Sequence, residues 1–181
     1  LILKLNGKTK LVGGDPISAQ IANVKDAKKL GAAAVGFTIY IGSSHEAEIL
    51  EEFAKIEREA HKHGLPVVAW IYPRGKAVEG KPAGELLQYA SRVGLEVGAD
   101  IVKLHWNGNE SDLKKAVRAA GRAKVVVAGG IKAEGPIFEK MVRSLMKTGA
   151  SGLAVGRNIW QSEEPLKLSE KVRRIVFNDN N

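Results

Sequence analysis

The chain has 181 residues, 44% of them hydrophobic and 27% charged, the make-up of one globular domain with a core, and disordered, collagen-like and coiled-coil classes are excluded. It contains no Cys, which excludes disulfides, thiolate metal sites and thiol nucleophiles. Lys and Arg outnumber Asp and Glu by 28 to 20, and the net charge of +8 favours an anionic partner.

The first predicted element is the strand LILKL from Leu1, and further β-branched or apolar runs begin near Ala33 (AAVGFTIYI), Leu65 (LPVVAWIY), Ala99 (ADIVKLHW), Ala123 (AKVVVAGG) and Ala150 (ASGLAVG). Gly13-Gly14-Asp15-Pro16 reads as a turn, without the glycine spacing of a dinucleotide site or the ending of a P-loop. Ile49, Leu50, Phe53, Ile56 and Ala60 form a 3.6-period stripe, with Ser43 and Glu46 as a capping box and Gly64 and Pro66 as the stop. Further helical stripes run through Leu86, Leu87, Ala90 and Val93, through Leu113, Ala116, Val117 and Ala120, and through Phe138, Met141, Val142 and Leu145. The pattern is a βα unit repeated six times.

Runs such as VVVAGG, apolar at nearly every position, indicate parallel strands buried on both faces. Length favours an open doubly wound sheet over an eight-stranded barrel, which takes about 250 residues. The polar residues favour the barrel, because Lys4 and Asn6, Thr38 and Tyr40, Trp70 and Tyr72, Lys103 and His105, Gly129 and Gly130, and Gly156 and Arg157 all end strands.

Side chains alternate along a strand, so Trp70 and Tyr72 share one face, as do Lys103 and His105. A free lysine is only about 0.04% neutral at pH 7, so a nucleophilic Lys103 needs burial and neighbouring cations, for which Lys4 and Arg157 are candidates. The competing reading is a lysine that snorkels to solvent. Tyr72 can exchange a proton at its phenol, or can be a core tyrosine with a satisfied hydroxyl; Trp70 reads as wall. Pro73-Arg74-Gly75 is a turn able to hold a cation over the mouth. Glycine pairs after the last two strands, with Arg157, suit a phosphate. His45, His61, His63 and His105 lack ligand spacing, so no metal is expected. Basic residues never run beyond two and stacking aromatics are few, which argues against nucleic acid. With no span of about 20 apolar residues and no signal peptide at the start, no membrane partner is expected, and the cytosol is the expected location.

The segments KLNGKT (Lys4 to Thr9), GFTIYIGSSHEAE (Gly36 to Glu48), VVAWIYPRGK (Val67 to Lys76), GADIVKLHW (Gly98 to Trp106), VVVAGG (Val125 to Gly130) and GLAVGRNIWQ (Gly152 to Gln161) resemble the archaeal-type class I fructose-bisphosphate aldolases. The resemblance runs from Leu1 to about Gln161. It implies a (β/α)8 TIM barrel of which strands three to eight are present, so that residues 1–181 form a single barrel domain incomplete at its start and lacking an aspartate-bearing segment. It implies reversible cleavage of fructose 1,6-bisphosphate, Lys103 as Schiff-base lysine, Tyr72 as proton donor and Trp70 beside it. It also implies Arg74, His105, Gly129, Gly130, Gly156 and Arg157 as substrate or phosphate contacts, no cofactor, and a homo-oligomer. Ile131 departs from the family's usual proline and His105 from a common second lysine. Two alternatives are an enzyme like 2-amino-3,7-dideoxy-heptulosonate synthase and an inactive phosphate-binding remnant.

Overall fold

The computed structural model describes residues 1–9, 11, 13–129, 133 and 135–177. In chain order its elements are β1 (Ile2–Lys4), β2 (Asn6–Gly7), β3 (Ala19–Gln20), α1 (Val24–Lys29), β4 (Ala34–Ile41), α2 (Glu46–Lys62), β5 (Val67–Pro73), α3 (Ala83–Glu96) and β6 (Ile101–His105). They continue with α4 (Glu110–Ala119), β7 (Lys124–Ala128), α5 (Gly135–Met146), β8 (Gly152–Ala154), α6 (Arg157–Trp160) and α7 (Pro165–Phe177). No described helix is long and apolar enough to cross a membrane.

Six parallel strands pair in the order β1-β4-β5-β6-β7-β8, each beside the strand of the same sheet that precedes it along the chain. A doubly wound sheet reverses its order at a switch point. This one never does, so its winding is that of a partial (β/α)8 barrel, as the strand-end residues predict.

The two faces of the sheet differ. Val35, Phe37, Ile39 and Ile41 of β4, Val67, Ala69 and Ile71 of β5, and Val102 and Leu104 of β6 are fully buried and join Val24, Phe53, Ala90, Leu113 and Leu145 of the helices in one core. Phe37 meets Phe53 edge to face at 5.9 Å, a geometry worth about 0.5–1.5 kcal/mol beyond its buried area. On the opposite face Trp70, Tyr72, Ile101, Lys103 and Val126 are only half-buried. The expectation of strands buried on both sides holds for β4, whose eight residues are all buried, and fails at these positions of β5, β6 and β7.

Two further readings need correction. The predicted capping box at Ser43 and Glu46 does not form. The Glu46 carboxylate accepts from Gly42 N at 2.5 Å, the Ser43 hydroxyl donates to the Pro16 carbonyl at 2.8 Å, and α2 starts after His45 with no side-chain cap. A reciprocal box stands instead at α1, where the Asn23 side chain accepts from Asp26 N and the Asp26 carboxylate accepts from Asn23 N, each at 3.0 Å. The first βα unit is also interrupted, by the two-residue strands β2 and β3 paired antiparallel as Asn6↔Gln20 and Gly7↔Ala19.

Candidate active site at the strand ends

Parallel register sets the site. Trp70 lies beside Lys103 across β5 and β6, and Tyr40 beside Tyr72 across β4 and β5. Gly36 makes the first placement possible, since a Cβ there would sit 1.7 Å from the Trp70 ring. The indole occupies the space that a side chain on β4 would otherwise fill, with its face turned to Lys103, whose Nζ lies 5.2 Å from the ring centroid. An aromatic face favours the ammonium form. Burial and, after it, the charge of Lys4 act the other way and hold the Lys103 amine below the ordinary lysine range.

Lys4 is held by a clamp between β2 and β4. Asn6 donates from its amide to the Thr38 carbonyl at 3.0 Å and accepts from Thr38 N at 2.8 Å, while Lys4 Nζ donates to the Asn6 carbonyl. Burial lowers the Lys4 amine as well. Of the two cations expected beside Lys103, Lys4 is the one whose charge bears on it; Arg157 stands exposed at the start of α6.

Tyr72 stacks on His105 with ring centroids 4.8 Å apart and faces Tyr40 at 6.4 Å. The Arg74 guanidinium lies 5.2 Å from the Tyr72 centroid, so the turn after β5 does hold a cation over the mouth. Burial pushes the Tyr72 phenol up, against the pull of Arg74, which keeps it protonated at neutral pH. Burial, then Arg74 and Lys103, push the His105 imidazole down.

Gly129 follows β7 and its carbonyl accepts from the Asn158 amide at 2.8 Å, while Asn158 Oδ1 accepts from Ala133 N at 2.8 Å. Gly156 follows β8, and its carbonyl receives Ile159 N at 2.8 Å to open α6. Gly130 and Ile131 lie outside the described residues. Sequence reasoning passed over Asn158, Ser18, whose hydroxyl donates to the Tyr40 hydroxyl at 3.2 Å, and Lys8, 5.7 Å from the Tyr40 centroid. Only the strand-end position of Tyr40 gave a signal for them.

A lysine on the fourth strand of the sheet, its amine against an indole and within reach of a second lysine's charge, is an arrangement for imine chemistry. Residues 1–162 match the model of the DeoC/LacD family of aldolases. The chain belongs to this family. It is 44% identical over 178 residues to the class 1 fructose-bisphosphate aldolase of Thermoproteus tenax, covering 98% of this chain and 68% of that protein. An archaeal fructose 1,6-bisphosphate aldolase crystal structure superposes with a TM-score of 0.93 at 44% identity, over 98% of this chain and 71% of the other. A structure of an archaeal fructose-1,6-bisphosphate aldolase with the catalytic Lys covalently bound to the carbinolamine intermediate of the substrate gives a TM-score of 0.92 at 43% identity, over 97% of this chain and 70% of the other.

Proposed function

We propose that this family member is a class I, Schiff-base fructose-1,6-bisphosphate aldolase with Lys103 as its nucleophile. The observation that carries the reading is the half-buried Lys103 amine above Trp70, held below the ordinary lysine range by burial and Lys4. In its neutral form Nζ attacks the ketone carbon of the substrate to give a carbinolamine, and loss of water leaves an iminium. The iminium accepts the electron pair of the C3–C4 bond as the C4 hydroxyl gives up its proton to water, replacing the proton taken up when the carbinolamine lost water. Glyceraldehyde 3-phosphate departs and an enamine remains. Protonation of the enamine at C3 and hydrolysis of the iminium by water then release dihydroxyacetone phosphate and restore the amine.

Tyr72 donates the proton to the enamine; a phenol pushed up by burial retains its proton at neutral pH and suits that task. Trp70 holds the amine in place. Arg74 and His105 border the space beside Tyr72, which suits them to the substrate's polar groups. Backbone groups of Gly129, Gly130 and Gly156, with the Arg157 guanidinium, bind the phosphate nearest the ketone. Gly129 and Gly156 support this by lying just past the ends of the adjacent strands β7 and β8, with Arg157 next in the chain. No metal or cofactor enters any step.

A homo-oligomer in the cytosol completes the reading, supported by the exposed Trp160, Leu166 and Phe177 on α6 and α7. Light scattering after size exclusion tests the oligomer. The test of the reaction is borohydride reduction with dihydroxyacetone phosphate. It should attach the ligand at Lys103 in the parent and not in Lys103→Met; undiminished labelling of that variant places the nucleophile elsewhere.

A further inference from the structure

Three loops at the substrate face meet at one carboxylate that the mechanism does not use. Asp15 Oδ2 accepts from Ser44 N at 2.7 Å, in the turn after β4, and Asp15 Oδ1 accepts from Lys76 N at 3.2 Å, in the turn after β5. The Ser43 hydroxyl donates to the Pro16 carbonyl at 2.8 Å and fastens the same loops again. The turn after β5 is the one that carries Arg74. It is anchored on its inner side by Arg74 N to the Ile41 carbonyl at 3.0 Å and by Gly75, whose φ of 131° and contact with Gly42 leave no room for a side chain. Asp15 supplies its outer anchor.

We infer that Asp15 is a positioning residue that fixes the Arg74 guanidinium over Tyr72 by tying the turn after β5 to residues 13–17 and to the turn after β4. The inference rests on the roles given above to Tyr72 and Arg74. A carboxylate is suited to the junction because it presents acceptors only, one oxygen to each N–H. An amide at the same place turns its NH₂ toward one of the two donors. The N–H of Ser44 first, and that of Lys76 further, hold the Asp15 carboxyl below its ordinary range, so it stays ionised at neutral pH.

The test is a double-mutant cycle of Asp15→Ala and Arg74→Ala, with Asp15→Asn as the milder variant should the alanine fail to fold. Asp15→Ala should lower kcat/KM for cleavage about 10- to 100-fold, the scale of a misplaced charge, while borohydride trapping at Lys103 stays within about twofold. In the Arg74→Ala background the same change should cost less than about twofold. Parent-like cleavage by Asp15→Ala, equal losses in both backgrounds, or joint loss of trapping and cleavage in a folded variant overturns the inference.

A second readout does not depend on turnover. The cations that lower the His105 imidazole are Arg74 and Lys103, with the Tyr72 ring stacked against it. Loss of Arg74 from its place in Asp15→Ala should raise the His105 pKa toward that of Arg74→Ala in an NMR titration. A parent that cleaves no fructose 1,6-bisphosphate overturns the functional reading alone, and the titration then decides for Asp15: a rise sustains its positioning role, and an unchanged His105 overturns it.

Discussion

The Tyr72 ring lies on the His105 imidazole at 4.8 Å between centroids and 29° between planes. With His105 pushed toward neutrality and the phenol kept protonated, the stacked pair carries no net charge at pH 7. Tyr72→Phe preserves the stack and removes only the transferable proton. Cleavage should fall by roughly 10²- to 10⁴-fold while trapping at Lys103 survives, as followed by a coupled assay beside borohydride labelling. Turnover within a few-fold of the parent would reduce Tyr72 to packing.

Lys4→Met removes the charge that assists burial in lowering the Lys103 amine. The Lys103 pKa should then rise, leaving less neutral amine at pH 7. The rate of trapping against pH should keep its shape and move to higher pH. An unmoved midpoint would assign the whole effect to burial.

Gly36→Ala places a methyl where the Trp70 ring now lies. Overpacking of this kind costs about 1–3 kcal/mol, and here it also pushes the indole off Lys103. Thermal melting should show the loss of stability and trapping should slow. A variant with parental melting and parental trapping would show that the indole has room elsewhere.

At the opposite end of the sheet His61 Nε2 lies 2.7 Å from the Asp100 carboxylate, which also accepts from Val67 N at 2.7 Å, and Nδ1 lies 2.8 Å from Glu57. The Asp100 hydrogen bond, ahead of the other contributions, raises the His61 pKa above its unfolded value near 6.5. A raised cationic group stabilises fully below the unfolded pKa and loses that contribution as pH rises through the folded one. Melting temperature should fall over this window in the parent and be flatter in His61→Gln. Equal slopes would detach His61 from stability.

The six strands of the main sheet are readable from the chain because parallel strands are apolar or β-branched runs, and side-chain alternation puts Trp70 with Tyr72 and Lys103 with His105, whereas the register that sets Trp70 beside Lys103 comes only from the structure. The β2–β3 pair is not readable, since two-residue strands have no period to detect. Ser43 and Glu46 have capping-box spacing, yet Pro16, 27 residues before Ser43, claims the hydroxyl. Asp15 reads as a turn residue for the same reason: its partners Ser44 and Lys76 are 29 and 61 residues away, and no local pattern records such a meeting.

Lys4 acts on Lys103 across the breadth of β4 and β5, and its amine is fastened by the Asn6 carbonyl, while the Asn6 side chain is locked to both backbone groups of Thr38. The repulsion that lowers the nucleophile is therefore set by the packing of two strands and not by a freely swinging side chain. A substitution at Asn6 reaches Lys103 through the placement of a single charge.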